Sequence, residues 1–164
     1  MLPASEYSNP EESSLATIRV QRPTPMSATG VTVSDEVRPT YEAMRDGKQY
    51  RYIVYYIKDR SVIAVDTTGE RSVTYADFLE TVQNDYANEC RWFVYDYPDP
   101  VYADWSTKRV FITWVPEGAN LRQQLIYKST AEILRRELVG NAVEVEGSSI
   151  ADISQEKIDA ALKH

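Results

Sequence analysis

The stretch from Lys108 to Gly140 constrains this chain more than any other. Val110 to Val115 is β-branched or aromatic at every position and is closed by Pro116 and Gly118, which reads as a buried strand and a tight connection. Asn120 is placed to cap a helix, no Pro or Gly interrupts residues 121–139, and Gly140 suits the far end. A long helix joined to a buried strand must lay one face on a sheet.

At roughly 100° per residue, Ile126, Thr130, Ile133, Leu134 and Leu138 gather on the side expected to meet the core. The opposite side collects Gln124, Lys128, Ala131, Glu132 and Arg135, flanked by Arg122 and Arg136. Leu121 and Leu125 fall among these polar groups. Two leucines on a charged face fit either a loop that covers them from within or a partner protein. In the second case apolar anchors supply affinity and charges supply register.

The rest of the chain supplies the sheet. Ser34 is placed to cap a helix over residues 35–45, ended by Asp46-Gly47. Tyr50 to Lys58 is apolar on both alternating faces, the pattern of a central strand covered on both sides. Asp59-Arg60 turns into a strand over residues 61–66, with Thr67-Thr68-Gly69 as a loop, and Thr74 opens a helix to about Asn84. Residues 90–97 form a third long strand. The connection over residues 98–107 is too long for a tight hairpin, and the strand from Lys108 returns antiparallel. Residues 142–146 are a short strand, and Ser154 opens a last helix that runs to the end. The expected class is α/β of the α+β type, a mixed five-stranded sheet between helices, in one domain over residues 26–164. Residues 1–25, rich in Ser, Pro and Glu, cannot bury enough apolar surface to offset ordering entropy and are expected to be disordered.

Composition narrows the chemistry. A net charge of -7 argues against bulk attraction to nucleic acid, so the tyrosines of residues 50–58 read as core and not as a base-stacking platform. One cysteine, Cys90, excludes an intrachain disulfide and fits a reducing compartment. The single histidine is the last residue, His164, which leaves no histidine base inside the fold. No phosphate-cradling loop, nucleophile elbow or metal-spaced Cys/His cluster is present, so no cofactor or metal is expected. The acidic pairs Asp96/Asp99 and Glu144/Glu146 read as solvated loop and edge residues, not as catalytic carboxylates. A binding surface remains, and an enzyme is not expected.

Five motifs occur in order: T-G-V-T-V from Thr29, G-K-Q-Y-R-Y-I-V from Gly47, T-Y-A-D-F-L from Thr74, C-R-W-F-V-Y-D-Y from Cys90, and F-I-T-W-V-P with the R-x-x-L-I-Y-x-S-T helix that follows. Together they resemble the actin-depolymerising factor/cofilin family over Met26 to about Lys163, and the family fold has the same element order. In that family the long helix enters the cleft between two subdomains of actin.

The resemblance implies a cytoplasmic, monomeric protein of the actin cytoskeleton that binds ADP-actin monomers and filament sides and promotes severing and depolymerisation. Its monomer-binding face would be Thr29, Gly30, Val31, Arg122, Gln124, Leu125, Lys128, Glu132 and Arg135. Filament-side contacts would come from Lys108, Arg109 and Lys163, and Thr29 stands at the family's regulatory phosphorylation position. Several positions depart from the pattern. Gln124 and Ala131 replace basic residues, Ser149 replaces an acidic one, and Ala160 and Ala161 stand where an acidic-basic pair is common. Two alternatives stay open: a glia-maturation-factor-like module that binds the actin-related branching complex, and a phosphoinositide-binding adaptor.

Overall fold

The computed structural model describes residues 30–163, so the expectations for residues 1–25, for Thr29 and for His164 lie outside it. Within that range the chain forms six strands and four α-helices. The strands are β1 (Thr32–Val33), β2 (Tyr50–Lys58), β3 (Val62–Glu70), β4 (Arg91–Asp99), β5 (Ala103–Trp114) and β6 (Asn141–Gly147). The helices are α1 (Val37–Arg45), α2 (Tyr75–Asp85), α3 (Leu121–Glu137) and α4 (Gln155–Leu162), with a 3-10 turn, Ile150–Ile153, before α4. The sheet order is β1-β3-β2-β4-β5-β6. The inner four strands are antiparallel, and β1 and β6 add at the edges in parallel.

Strict alternation divides the core in two. Ile53, Tyr55, Trp92, Val94 and Phe111 face α1 and α3, where they meet Val37, Tyr41, Met44, Tyr127 and Leu134. Tyr52, Val54, Phe93, Tyr95, Val110 and Ile112 face α2 and α4, against Phe78, Val82, Ile158 and Leu162. Both faces of β2 are therefore covered, as its unbroken apolar run requires. Its tyrosines are core or half-buried. Cys90 is buried on the α3 side, where burial pushes its thiol up to about 11, the condition of an inert cysteine.

Four expectations are corrected. The sheet has six strands, because residues 32–33 bond to β3: the Thr32 N–H donates to the Ser61 carbonyl and the Ser34 N–H to the Ile63 carbonyl, both at 2.9 Å. Two residues are too few to show a period. The Ser34 side chain does not cap α1. That helix starts after Glu36, whose carboxylate instead accepts the Val65 N–H at 2.8 Å. Thr67-Thr68-Gly69 is strand, paired to β2 as far as Tyr50. The β4–β5 connection is a hairpin after all, with Pro98 opposite Thr107, Asp99 opposite Ala103 and residues 100–102 at the tip. The Asp99 carboxylate tightens that tip by accepting the N–H groups of Val101 (2.7 Å) and Tyr102 (3.3 Å). The Val101 N–H first, and Lys108 as well, hold its carboxyl below the usual range.

Gly69 is required by contact, because a Cβ there would lie 2.0 Å from the Tyr52 ring. That ring is buried against Phe78, with centroids 5.0 Å apart, and has little room to yield. Gly69→Ala should therefore destabilise the fold by about 1–3 kcal/mol, as overpacking does. A chemical denaturation midpoint equal to wild type would show that the ring moves freely.

Candidate functional site

The long helix is built as its ends promised. The Asn120 side chain accepts the Gln123 N–H at 2.8 Å, and α3 runs to Glu137, with Gly140 just beyond at φ +98°, a conformation that favours glycine. Its inner stripe is Gln123, Tyr127, Thr130, Leu134 and Leu138. Gln123 Oε1 accepts the Cys90 N–H (2.9 Å), and the Tyr127 hydroxyl accepts the Ile57 N–H (2.9 Å) while its ring packs 4.4 Å from that of Trp92. Thr130, Leu134 and Leu138 are buried, whereas Ile126 and Ile133, expected at the core, are half-buried at its edge. The expected stripe omitted Tyr127, whose partners lie on β2 and β4.

The outer face carries the two leucines in the open. Leu121 is 68 % exposed and Leu125 is 58 % exposed, one turn apart, with no loop over them among the described residues. No described segment therefore supplies the covering loop that the wheel left open. Arg122, Lys128, Glu132 and Arg136 share that exposed face. Gln124 and Ala131 are half-buried, and the Gln124 amide donates to the Ala119 carbonyl at 2.8 Å. Arg135, also half-buried, bonds to Glu132 and lies 3.0 Å from Glu144 on β6. Lys128 stands 3.6 Å from Glu146 on the same strand, and Arg122 forms no ion pair among the described residues. Glu144 and Glu146, expected as solvated edge residues, are exposed and also paired to the helix.

The arm residues divide by role. Gly30 is exposed at φ +80°. The Val31 side chain is buried in the α1/α3 core, so it anchors the arm from within.

Lys108 and Arg109 face opposite ways. Lys108 is the register partner of Tyr97, which packs toward α2 and donates its hydroxyl to Asp159 of α4 at 2.8 Å. Lys108 thus shares a side with α4 and the exposed Lys163, and it pairs with Asp99 at 3.6 Å. Beside this pair, the hairpin tip exposes Val101 (69 %) and Tyr102 (64 %). Sequence reasoning passed over this apolar pair, although the prolines around it marked a turn. Arg109 points to the α3 side with its side chain only 17 % exposed. It donates to the Gly140 carbonyl at 3.0 Å and lies 3.8 Å from Asp96.

Asp96 is the centre of that end of the sheet. It is fully buried, with Arg71 at 2.8 Å and Lys48 at 3.4 Å in addition to Arg109. Asp96 and Asp99 are therefore buried structural acids, not the solvated loop residues that their sequence context suggests. One of these cations, Arg109, also helps to finish α3. Tyr41 Oη (2.8 Å) and Arg45 Nη1 (3.1 Å) donate to the Val139 carbonyl next to the Arg109–Gly140 bond. Donors and positive charge at a helix C-terminus satisfy its free carbonyls and complement its dipole.

Comparison with known proteins agrees with this architecture. The family model described as cofilin/tropomyosin-type actin-binding protein matches residues 30–163. A cofilin of Ogataea parapolymorpha is 33% identical over 136 residues, covering 81% of this chain and 92% of the relative. An actophorin of Entamoeba histolytica is 29% identical over 135 residues, covering 82% and 96%. Among solved structures, Streptomyces griseoflavus cofilin superposes with a TM-score of 0.72 at 33% identity, over 81% of this chain and 99% of that one. The chain belongs to the cofilin/tropomyosin-type actin-binding family.

Proposed function

We propose that this protein binds ADP-actin monomers through the outer face of α3, acting in the cytoplasmic actin cytoskeleton. Binding to filament sides then promotes severing and subunit loss. The observation that carries this reading is the exposed Leu121/Leu125 pair on a capped helix with a deeply buried inner stripe. A rigid helix presenting two apolar anchors among charges suits insertion into a groove of a partner protein. Arg122, Lys128, Glu132 and Arg135 set register around the leucines. Gln124, held to the Ala119 carbonyl just before the helix, contributes shape. The arm adds Gly30 and Thr29, with Val31 as its buried anchor. A phosphate on Thr29 would add about -1.5 to -2 charges to a closely packed contact and weaken it.

Filament sides would meet the opposite side of the sheet, through Lys108, Lys163 and the Val101/Tyr102 tip. Arg109 supports this surface from behind. The work done on the filament is a population shift: a ligand that prefers one subunit arrangement raises its share in proportion to the difference in affinity. No covalent step is needed.

The basic set on the filament side is small, and Lys108 is already paired with Asp99. The test is a pair of dissociation constants, for ADP-actin monomers and for filaments, at one salt concentration. Tighter binding to monomers, with severing present but weaker than in relatives with a fuller basic set, is expected. Filament binding as tight as monomer binding would overturn the asymmetry. Binding to neither would overturn the actin reading and favour the actin-related branching complex.

A further inference from the structure

We infer that the open cavity between the starts of α2 and α4 is a binding site for a small phosphate monoester, held by Arg51 and Arg71. The inference does not depend on the actin reading. It begins in the register of β2. Tyr50 pairs with Glu70 and Tyr52 with Gly69, so Arg51 is the extra residue of a bulge. Such a residue leaves the strand's alternation and its side chain is re-aimed. The Arg51 guanidinium lies across the sheet end, donating from Nε to the Arg71 carbonyl and from Nη1 to the Asp96 carbonyl, both at 2.9 Å. Arg71 Nη1 donates to the Tyr50 carbonyl and to the Asp96 carboxylate, both at 2.8 Å. These bonds fix both forks. They leave Nη2 of each arginine, and Nε of Arg71, without a hydrogen-bond partner among the described residues.

Both arginines line a cavity of about 520 Å³, together with Tyr95 and Tyr97 of β4, the first turn of α2 and Gln155 of α4. The charge around it is unbalanced. Asp96 is a single carboxylate facing Lys48, Arg71 and Arg109, and Arg51 lies on its backbone carbonyl. The other acids of the cavity are engaged: Asp99 by Lys108 and the Val101 N–H, and Asp159 by the Tyr97 hydroxyl. With Lys108 included, five cations face three carboxylates on a chain of net charge -7. Planar forks with free N–H groups match the oxygens of a phosphate. The Tyr75 and Ala76 N–H groups, in the first turn of α2, have no acceptor inside the helix and add donors beside the forks. A bare phosphate would leave most of the volume empty. Tyr97 and Pro98 further along β4, and Pro100 after it, give the body of an ester aromatic and apolar walls, the usual lining of a small-molecule site.

The experiment is a titration of the isotope-labelled full chain with AMP, inorganic phosphate and adenosine, followed through backbone amide shifts. AMP should bind saturably and move the amides of residues 72–76, Arg51 and Tyr97 more than any others. Inorganic phosphate should move the same amides with weaker affinity, and adenosine should leave them in place. Arg51→Gln should weaken AMP binding by about tenfold or more, as the loss of hydrogen bonds to a charged group implies. Because Arg51 also ties Arg71 to β4, a second variant leaves those bonds alone. Ala76→Glu sets a carboxylate on the exposed rim of the cavity. An acid suits the first turn of a helix, so this variant should melt like wild type and lose AMP binding. Shifts no larger at residues 72–76 than on the outer face of α3, or folded variants that bind AMP as wild type does, would overturn the site. AMP binding no tighter than inorganic phosphate would overturn the ester class.

Discussion

Asp96→Ala is expected to lower the stability of the domain by about 3 kcal/mol, the low end of the cost of removing one partner from a buried ion pair. The low end applies because the cations that lose Asp96 are not all sealed in. The Arg71 and Lys48 side chains are 28% and 48% exposed and can recover some hydration. Arg109 cannot do so as readily. The acid holds together three segments distant in sequence: the exit of α1, the end of β3 and the middle of β5. For a domain of this size the change corresponds to a drop in melting temperature of roughly 6–12 °C. Asp96→Asn keeps the shape and one acceptor and should cost less than Asp96→Ala. Thermal unfolding of both variants checks the claim. A melting temperature within a degree or two of wild type for Asp96→Ala would mean that the cluster contributes nothing net.

Truncating the leucines should act on binding and spare the fold. Leu121→Ala and Leu125→Ala remove little that is buried in the free protein, so melting should change by a degree or two at most. Each should weaken binding to ADP-actin monomers by about 1–3 kcal/mol, or roughly five- to 150-fold, as central anchors in interfaces do. The pair lies one turn apart on the same face, so the double loss need not equal the sum. Arg122→Ala belongs to the same series, because Arg122 forms no ion pair among the described residues and its charge is free for a partner. If all three variants bind monomers as wild type does, the outer face of α3 is not the contact.

The legible parts of the molecule were those whose cause is local. The Asn120 cap, the uninterrupted run before Gly140 and the double-sided apolar strand β2 each carry their reason within a few residues. Leu121 and Leu125 stood out because leucine is out of place among Arg, Gln and Glu, and both are exposed. What stayed hidden depends on distant partners. Tyr127 is core because Ile57 and Trp92 receive it, and neither is visible on a helical wheel. Asp96 looks like any acid near a turn until Lys48, Arg71 and Arg109 converge on it. Arg109 itself shows how little residue type tells about direction: one position from Lys108, it faces the other side of the sheet. β1 and the hairpin tip were missed for a third reason. Two-residue pairings and Asp-bonded turns leave almost no periodic trace.

The central claim, that α3 offers its leucines to actin, is tested most directly by hydroxyl-radical footprinting of the complex with monomeric ADP-actin. Reactivity of Leu121 and Leu125 should fall sharply on binding, while Val101 and Tyr102 at the hairpin tip keep theirs, because the tip lies beside Lys108, away from the outer face of α3. Unchanged reactivity at both leucines in a saturated complex would contradict the account.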